Sequence, residues 1–217
     1  ASSGTASFTC PENCSDLWFV VSGAPKTYWQ HGWDEDESND EQWPYRVKFS
    51  GTNIYGLIDF TDEDKPHDES FVYNISFRAD GTGYTGTSVT IDAVKLCYAF
   101  VMTASEIRAG IGLPSSDKKI RFYGVNSNDT YASDPTANGY GHWFNAAGDV
   151  CAYVSGDGGE NRIFSEFNET NFTFSIGQHP GRCKAGDVYR VRQAMVYSPG
   201  GDEKFTATFE FNITITP

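Results

Sequence analysis

The segment Phe205–Thr216 alternates apolar and polar residues without interruption. Apolar residues occupy every odd position, while threonine, glutamate or asparagine occupies every even position. A period of two over a segment of this length is typical of a β-strand that buries one face and exposes the other. The pattern therefore predicts a long half-buried strand at the C-terminal end of the chain.

A second strand is predicted directly before this one. Val188–Tyr197 is rich in valine and tyrosine, which favour strands, and the stretch Ser198–Asp202 that follows it contains proline and glycine. Proline and glycine suit a tight turn. Together the two strands and the turn predict a β-hairpin.

Similar short strands, separated by turn residues, recur through the chain, so that about nine are expected in all. This pattern is typical of an all-β fold, and it predicts an antiparallel β-sandwich with a jelly-roll-like arrangement. A length of 217 residues suits one large domain of this kind, so residues 1–217 are predicted to form a single domain. The other predicted strands are Leu17–Val21, Tyr45–Phe49, Tyr55–Phe60, Phe71–Arg78, Ile120–Val125, Asp149–Val154 and Phe172–Ile176.

One region interrupts the strand pattern. Asp92 precedes a set of apolar residues with helical spacing, of which Leu96 and Phe100 are members. Shortly afterwards, Thr103 and Glu106 have the spacing of a capping box, the pair of side chains that closes a helix N-terminus. One or two short helices are therefore expected near residues 93–110.

The charge of the chain excludes two classes of partner. With 16 basic and 29 acidic residues, its formal charge is −13, so it cannot neutralise a nucleic-acid backbone and is repelled by anionic lipids. The longest apolar run, Cys97–Met102, is far shorter than the ~20 residues that cross a bilayer. Because the chain starts at Ala1 with a run of small polar residues, we expect that a leader has been removed and that the protein is secreted, periplasmic or on the outer-membrane surface.

Neither the cysteines nor the glycine-rich stretch predicts a functional site. Five cysteines are too few for a disulfide scaffold, although Cys10 and Cys14 are close enough in sequence to form a bridge, and this pairing stays open. The stretch Gly81–Gly86 matches the glycine spacing of a dinucleotide-binding loop. A β-favouring run follows it, where that site needs a helix, so a glycine-rich hairpin turn is the better interpretation.

An acidic run at residues 34–41 is the candidate metal site. It contains six carboxylates in eight positions, and hard oxygen ligands of this kind suit Ca²⁺. We name Asp34, Asp36 and Asp40 as the candidate ligands. The alternative is a solvated acidic loop, because in a twelve-residue loop that starts at Asp34 the sixth and twelfth residues, Asn39 and Tyr45, do not match an EF-hand. No other cofactor is expected.

Aromatic residues beside polar loops are the candidate ligand-binding residues. Trp29, Trp33 and Trp43 flank the acidic run. The C–H face of a sugar ring stacks on an indole, while carboxylates and amides bond its hydroxyl groups. The alternative is that these rings fold back and anchor the loop.

A second aromatic stretch lies at residues 138–145. Tyr140 and Trp143 offer stacking faces there, and Asn138, His142 and Asn145 offer hydrogen-bonding groups. Strand alternation places His142 on the opposite face from Trp143, so one of these two faces is core. A core role for Trp143 and a ligand role stay open.

Six stretches of the chain together resemble a known family, and they are Asp92–Phe100, Ser105–Ile107, Thr136–Phe144, Phe174–Gly181, Ala185–Asp187 and Phe211–Ile215. It is the domain-of-unknown-function family numbered 4859, which occurs in exported proteins of gut Bacteroidetes, often in polysaccharide-utilisation contexts and sometimes under a glycoside hydrolase label. The resemblance covers residues 92–217 and leaves 1–91 unmatched. It implies an exported protein that handles glycans, and it supplies no catalytic residues.

These observations favour non-catalytic carbohydrate binding by an exported or cell-surface bacterial protein, with an oligo- or polysaccharide as the ligand. One alternative is a glycoside hydrolase or polysaccharide lyase, which requires two carboxylates about 5–10 Å apart that the sequence does not identify. The other is a structural module that packs on partner proteins at the cell surface. An enzyme is the less favoured of these classes.

Overall fold

The computed structural model describes residues 65–132 and 139–217, which form two five-stranded sheets and two short helices. The strands are β1 (Glu69–Arg78), β2 (Gly86–Thr90), β3 (Ile111–Gly112), β4 (Ile120–Val125), β5 (Gly141–Phe144), β6 (Val150–Cys151), β7 (Ile163–Asn168), β8 (Thr173–Gln178), β9 (Val188–Tyr197) and β10 (Phe205–Thr216). The helices are α1 (Ala93–Phe100) and α2 (Ala104–Gly110).

The first sheet has the strand order β1-β10-β9-β4-β3. The predicted hairpin is confirmed, because β9 and β10 pair antiparallel with Tyr197 opposite Phe205. The sheet is mixed, however, since β1 runs parallel to β10 and β3 runs parallel to β4. Strand β1 reaches β10 by long-range pairing, so the tight turn that makes hairpin strands antiparallel does not act on it.

The second sheet has the order β2-β8-β7-β5-β6, and all its neighbours pair antiparallel. Its inward residues meet those of the first sheet in an aromatic core. The ring centroid of Phe174 on β8 lies 5.1 Å from that of Phe209 and 4.9 Å from that of Phe211, both on β10. The ring of Phe122 on β4 stacks 5.6 Å from that of Phe167 on β7. The predicted β-sandwich is therefore confirmed.

Both helix starts follow from their capping residues. Asp92 accepts a hydrogen bond from the backbone N–H of Lys95 at 2.9 Å, and α1 begins at the next residue. Thr103 accepts from the N–H of Glu106 at 3.3 Å, while the Glu106 carboxylate accepts from the N–H of Thr103 at 2.7 Å. This reciprocal pair is the predicted capping box, and it starts α2.

The helices close one end of the sandwich. The Phe100 ring of α1 lies 5.5 Å from that of Tyr197 at the end of β9, and Lys95 donates to the backbone oxygen of Ser70 near the start of β1. Loops at the opposite end of the sandwich carry the candidate site described below. Neither helix has the length and apolarity needed to cross a membrane, and this holds for every helix within residues 65–132 and 139–217.

Predicted strand bounds agree with the structure to different degrees. β4, β9 and β10 have the predicted bounds. The predicted strand Asp149–Val154 is too long, because only Val150–Cys151 pairs and the chain then leaves the sheet. The predicted strands Leu17–Val21, Tyr45–Phe49 and Tyr55–Phe60 lie outside the described residues, and the single domain stays a prediction.

We predict that Phe174→Ala lowers the free energy of unfolding by about 3–5 kcal/mol, because it leaves a cavity between the sheets. Chemical denaturation would measure this loss. Val188→Ala is the matched control: Val188 is 69% exposed on β9, so its truncation should change stability by less than about 0.5 kcal/mol. Equal effects of the two substitutions would contradict the central place of Phe174 in the core.

Candidate functional site

The outer face of the second sheet carries a row of aromatic residues. On β5, His142 and Phe144 point into the sandwich and Trp143 points out of it, as the alternation of a strand requires. Trp143 pairs with Phe164 on β7, which also faces outwards, and Phe164 pairs with Gly177 on β8. Two large rings therefore lie side by side next to a position without a side chain.

The glycine at this position lets a loop approach the sheet. A Cβ atom on Gly177 would lie 3.2 Å from the backbone oxygen of Tyr84, closer than most side chains tolerate. The loop of residues 79–85 also accepts a hydrogen bond through Thr85 O from the N–H of Gln178 at 3.0 Å. The close approach brings Tyr84 to the row of outward-facing rings.

The loop of residues 79–85 has an internal anchor at Asp80. The Asp80 carboxylate accepts hydrogen bonds from the N–H groups of Thr82 at 2.8 Å and Gly83 at 3.0 Å, and from the hydroxyl group of Thr85. The hydrogen bond from Thr85, followed by those from the two backbone N–H groups, lowers the pKa of Asp80 to about 2. The prediction of a hairpin turn here is corrected: β1 and β2 belong to different sheets, so the loop crosses between them.

A second loop, residues 152–161, brings Tyr153 to the same place. The guanidinium group of Arg182 donates to the backbone oxygens of Val154 at 2.9 Å and Asn161 at 3.1 Å, and also to that of Gly156. The buried Asn161 side chain accepts from the N–H of Val154 at 3.2 Å. Arg182 thus ties both halves of the loop to the segment that follows β8.

Tyr84, Trp143, Tyr153, Phe164 and His179 form what we call the aromatic cluster. The Trp143 ring centroid lies 5.1 Å from that of Phe164, 5.4 Å from that of Tyr153 and 6.1 Å from that of Tyr84. Trp143 is only 6% exposed, whereas Tyr84 is 57% and Tyr153 45% exposed. The two tyrosine hydroxyl groups are hydrogen-bonded at 3.0 Å. A buried tryptophan therefore supports two exposed tyrosines that are joined at their tips.

His179 lies among these rings, and one of its ring nitrogens has no hydrogen-bond partner within the part of the chain that the structure describes. Its ring centroid is 5.7 Å from that of Tyr84, 5.9 Å from that of Trp143 and 6.0 Å from that of Tyr153. His179 Nδ1 lies 3.1 Å from the backbone oxygen of Pro180. Its Nε2 is buried and has no hydrogen-bond partner among the described residues.

Trp143 is the one residue predicted from the sequence that the structure places in the cluster. The ring of Tyr140 packs inwards, 5.3 Å from that of Phe122. Asn145 accepts hydrogen bonds from the N–H groups of Ala147 at 2.9 Å and Asp149 at 3.0 Å, which shapes the turn between β5 and β6. These contacts give Tyr140 a packing role and Asn145 a role in the turn.

His142 is fully buried between the sheets. Its Nε2 accepts from the N–H of Gly124 at 3.1 Å, and its Nδ1 lies 3.0 Å from the side-chain nitrogen of Gln193. Burial lowers the pKa of His142 to about 4. Of the two faces left open by the sequence, the His142 face is the core, so we leave His142 out of the proposed site.

The remaining predicted site residues lie outside the described part of the chain. They are Trp29, Trp33, Trp43 and Asn138, together with the calcium candidates Asp34, Asp36 and Asp40. Within residues 65–132 and 139–217, no group of three or more histidine, cysteine or acidic side chains could hold a metal ion. Cys97, Cys151 and Cys183 are free thiols, and burial raises the pKa of Cys97 to about 12.

Each described carboxyl group whose pKa departs from its ordinary value has a lowered pKa. A hydrogen bond from Arg192 lowers the pKa of Asp129, and one from Ser127 lowers that of Asp149. A glycosidase general acid needs a raised pKa instead. None of these groups is therefore assigned as a general acid, and the hydrolase alternative stays a prediction without a residue pair. The lowered groups are Glu69, Asp80, Asp129, Asp149, Asp187 and Glu210.

The other cluster residues were not predicted from the sequence. Tyr84 lies within the glycine-rich stretch, and Tyr153 was placed in a strand. Both tyrosines lie next to glycine-rich segments. The apolar and polar alternation that predicts strands does not identify residues at such positions. His179 lies directly after β8, within the stretch Phe174–Gly181 that contributes to the family resemblance. The sequence analysis predicts no ligand-binding role for it.

The fold and this cluster define the molecule as a two-sheet β-sandwich protein with exposed tyrosines on one outer face. Residues 83–202, more than half of the chain, match the model of the family described as "Domain of unknown function (DUF4859)", and the chain belongs to this family. The predicted family is thereby confirmed, although the match begins at residue 83 rather than 92 and ends at residue 202 rather than 217. Residues 1–56 match a second model, described as "Family of unknown function (DUF6055)". No curated protein and no solved structure matches the chain significantly.

We predict that Arg182→Ala loosens the loop of residues 152–161. Its hydrogen bonds to the loop backbone are lost, so amide hydrogens of the loop should exchange at least about tenfold faster, as measured by mass spectrometry. Arg190→Ala is the matched control, since Arg190 makes an exposed ion pair with Glu210 on the other sheet. Unchanged exchange in Arg182→Ala would show that another contact holds the loop.

A second prediction concerns the pKa of Asp80. Thr85→Val should raise this pKa from about 2 towards its ordinary value of 3.8, because the largest cause of the shift is removed. Carboxyl carbon NMR would follow the titration, with Thr90→Val, an exposed position on β2, as the control. Since the folded pKa is depressed, the contribution of Asp80 to stability is complete above its ordinary pKa and is lost as the pH falls through about 2. Thr85→Val should shift that loss to higher pH.

Proposed function

We propose that this protein binds carbohydrate without cleaving it and that the exposed tyrosines of the aromatic cluster form the binding platform. The observation that carries the proposal is the pair Tyr84 and Tyr153, which are about half exposed although both rings pack against Trp143. An exposed aromatic ring at a fixed position suits the apolar C–H face of a sugar ring.

Preorganisation supports this function. A tyrosine side chain has two rotatable χ angles, and here both rings also pack against the Trp143 indole, Tyr84 in an edge-on geometry and Tyr153 in a tilted one. Ordering a loose side chain on binding costs about 0.5–1.5 kcal/mol, and most of this cost is met before the ligand arrives. The two loops add to this preorganisation, because Asp80 and Arg182 hold the backbone segments that carry Tyr84 and Tyr153.

The polar surroundings of the platform also suit a sugar. Ser155 and Asp157 are exposed on the loop that carries Tyr153, and hydroxyl and carboxylate groups of this kind can bond to sugar hydroxyls. The two Nη atoms of Arg182 donate to backbone oxygens of the same loop, so this side chain shapes the platform. A neutral ligand is also compatible with the net charge of −13.

The proposal also includes the cellular location of the protein. The family resemblance implies an exported or cell-surface bacterial protein, and an external location would bring the platform into contact with polysaccharides. Trp29, Trp33 and Trp43 are proposed as additional stacking residues, and Asp34, Asp36 and Asp40 as calcium ligands. Their test requires substitutions in residues 1–64, separate from those in the cluster.

Native affinity electrophoresis tests the platform directly. The chain would be run through gels containing dextran, β-glucan, galactomannan, xylan, pectin or alginate. We expect at least one polysaccharide to retard the wild-type chain, and Tyr153→Ala to weaken this binding about tenfold or more. Tyr131→Ala is the matched control: Tyr131 is 46% exposed, close to the 45% of Tyr153, but it stacks on Tyr123 at the other sheet.

Other results would contradict the proposal in distinct ways. A loss of binding in Tyr131→Ala with normal binding in Tyr153→Ala would move the site to the Tyr123–Tyr131 stack. Release of reducing ends from the retarding polysaccharide would show a hydrolase. No retardation by any of the six polysaccharides would favour the third alternative, in which the exposed tyrosines pack against a partner protein.

A further inference from the structure

The free ring nitrogen of His179 is a hydrogen-bond acceptor. The backbone oxygen of Pro180 can only accept, so Nδ1 carries the ring proton and donates to it at 3.1 Å. In the neutral imidazole, Nε2 is then an acceptor without a hydrogen, and none of the described residues donates to it. A buried acceptor without a donor is costly in a folded protein, so it is expected to have a partner in the working state.

The tyrosine pair beside His179 supplies the complementary group. Two hydroxyl groups that share one hydrogen bond use only one of their two hydrogens, so either Tyr84 or Tyr153 keeps a free O–H donor. The cluster therefore offers one acceptor on His179 and one donor on a tyrosine. The rings of both tyrosines lie within 6.0 Å of the His179 ring, centroid to centroid.

We infer that His179 is the specificity-determining residue of the platform and that it accepts a hydrogen bond from one hydroxyl group of a neutral sugar. This inference rests on the proposed function. A hydroxyl group both donates and accepts, so the same group can donate to Nε2 and accept from the free tyrosine hydroxyl. A carboxylate of an acidic sugar has no hydrogen to donate to Nε2, so it does not fit this position.

In this proposal the ligand hydroxyl group reaches Nε2 between the two tyrosines, which separate when the sugar binds. His179 is 6% exposed, and the exposed members of the cluster around it are Tyr84 and Tyr153. Their mutual hydrogen bond is at the surface, where it adds little net stability because water can replace it. The ligand hydroxyl would replace this bond with two new ones, while the rings stay beside the sugar.

The test uses three variants and the polysaccharide that retards the wild-type chain. His179→Phe keeps an aromatic ring but removes the acceptor, and His179→Gln restores an acceptor oxygen. Tyr131→Phe is the control, since it removes a tyrosine hydroxyl on the opposite sheet. We expect His179→Phe to bind about tenfold more weakly, as for the loss of one hydrogen bond, His179→Gln to bind with intermediate strength, and Tyr131→Phe to bind as the wild type does.

A competition experiment identifies the hydroxyl group. The competitors are the methyl glycoside of the sugar that forms the retarding polysaccharide and its monodeoxy analogues. In the wild type, one analogue should compete about tenfold less well than the parent glycoside, and in His179→Phe this difference should disappear. If His179→Phe fails to fold, as judged by its thermal transition, His179→Gln is compared in the same way and should reduce the difference.

The results separate this inference from the proposed function. If the wild type binds and His179→Phe binds equally well, or if the deoxy difference persists in the variant, the role of His179 is overturned and the platform stands. If the wild type binds none of the six polysaccharides, both are overturned. Tighter wild-type binding to alginate or pectin than to every neutral polysaccharide would also contradict the inference.

Discussion

The contact of Phe174 with Phe209 and Phe211 is the constraint on which the rest of this structure depends. It joins the two sheets through residues that are fully buried. Because side chains alternate along a strand, burying Phe174 on β8 also decides which residues of its neighbours face outwards. Trp143 and Phe164 lie on the outer face of the second sheet for this reason, and a shift of one residue in register would place them in the core.

The candidate site combines this face with two loops that the sheet itself does not position. Asp80 closes one loop by accepting hydrogen bonds from that loop's own residues, and Arg182 ties the other loop to the segment after β8. Both anchors lie near the end of the sandwich away from the helices. The resulting cluster has a rigid aromatic base and exposed tips, which is the combination that a stacking platform needs.

Sequence reasoning succeeded where one local signal was sufficient. The hairpin of β9 and β10 has a clear period of two, and the caps at Asp92 and Thr103 have side chains that bond to their own helix. Sequence patterns were less informative for strands whose two faces are both covered by other parts of the protein. The residues of β5 are all buried, so no alternation marks this strand, and in β7 the outward Phe164 obscures the pattern.

The sequence by itself determined the β-rich architecture, the helix starts and the family, because each depends on neighbouring residues or on matched stretches of chain. Only the tertiary structure decided that β1 runs parallel to β10, that His142 is core, and that Tyr84, Tyr153 and His179 meet at Trp143. These outcomes depend on pairs of residues far apart in the chain. Their distances are set by sheet packing and loop anchors, which no local pattern of residues contains.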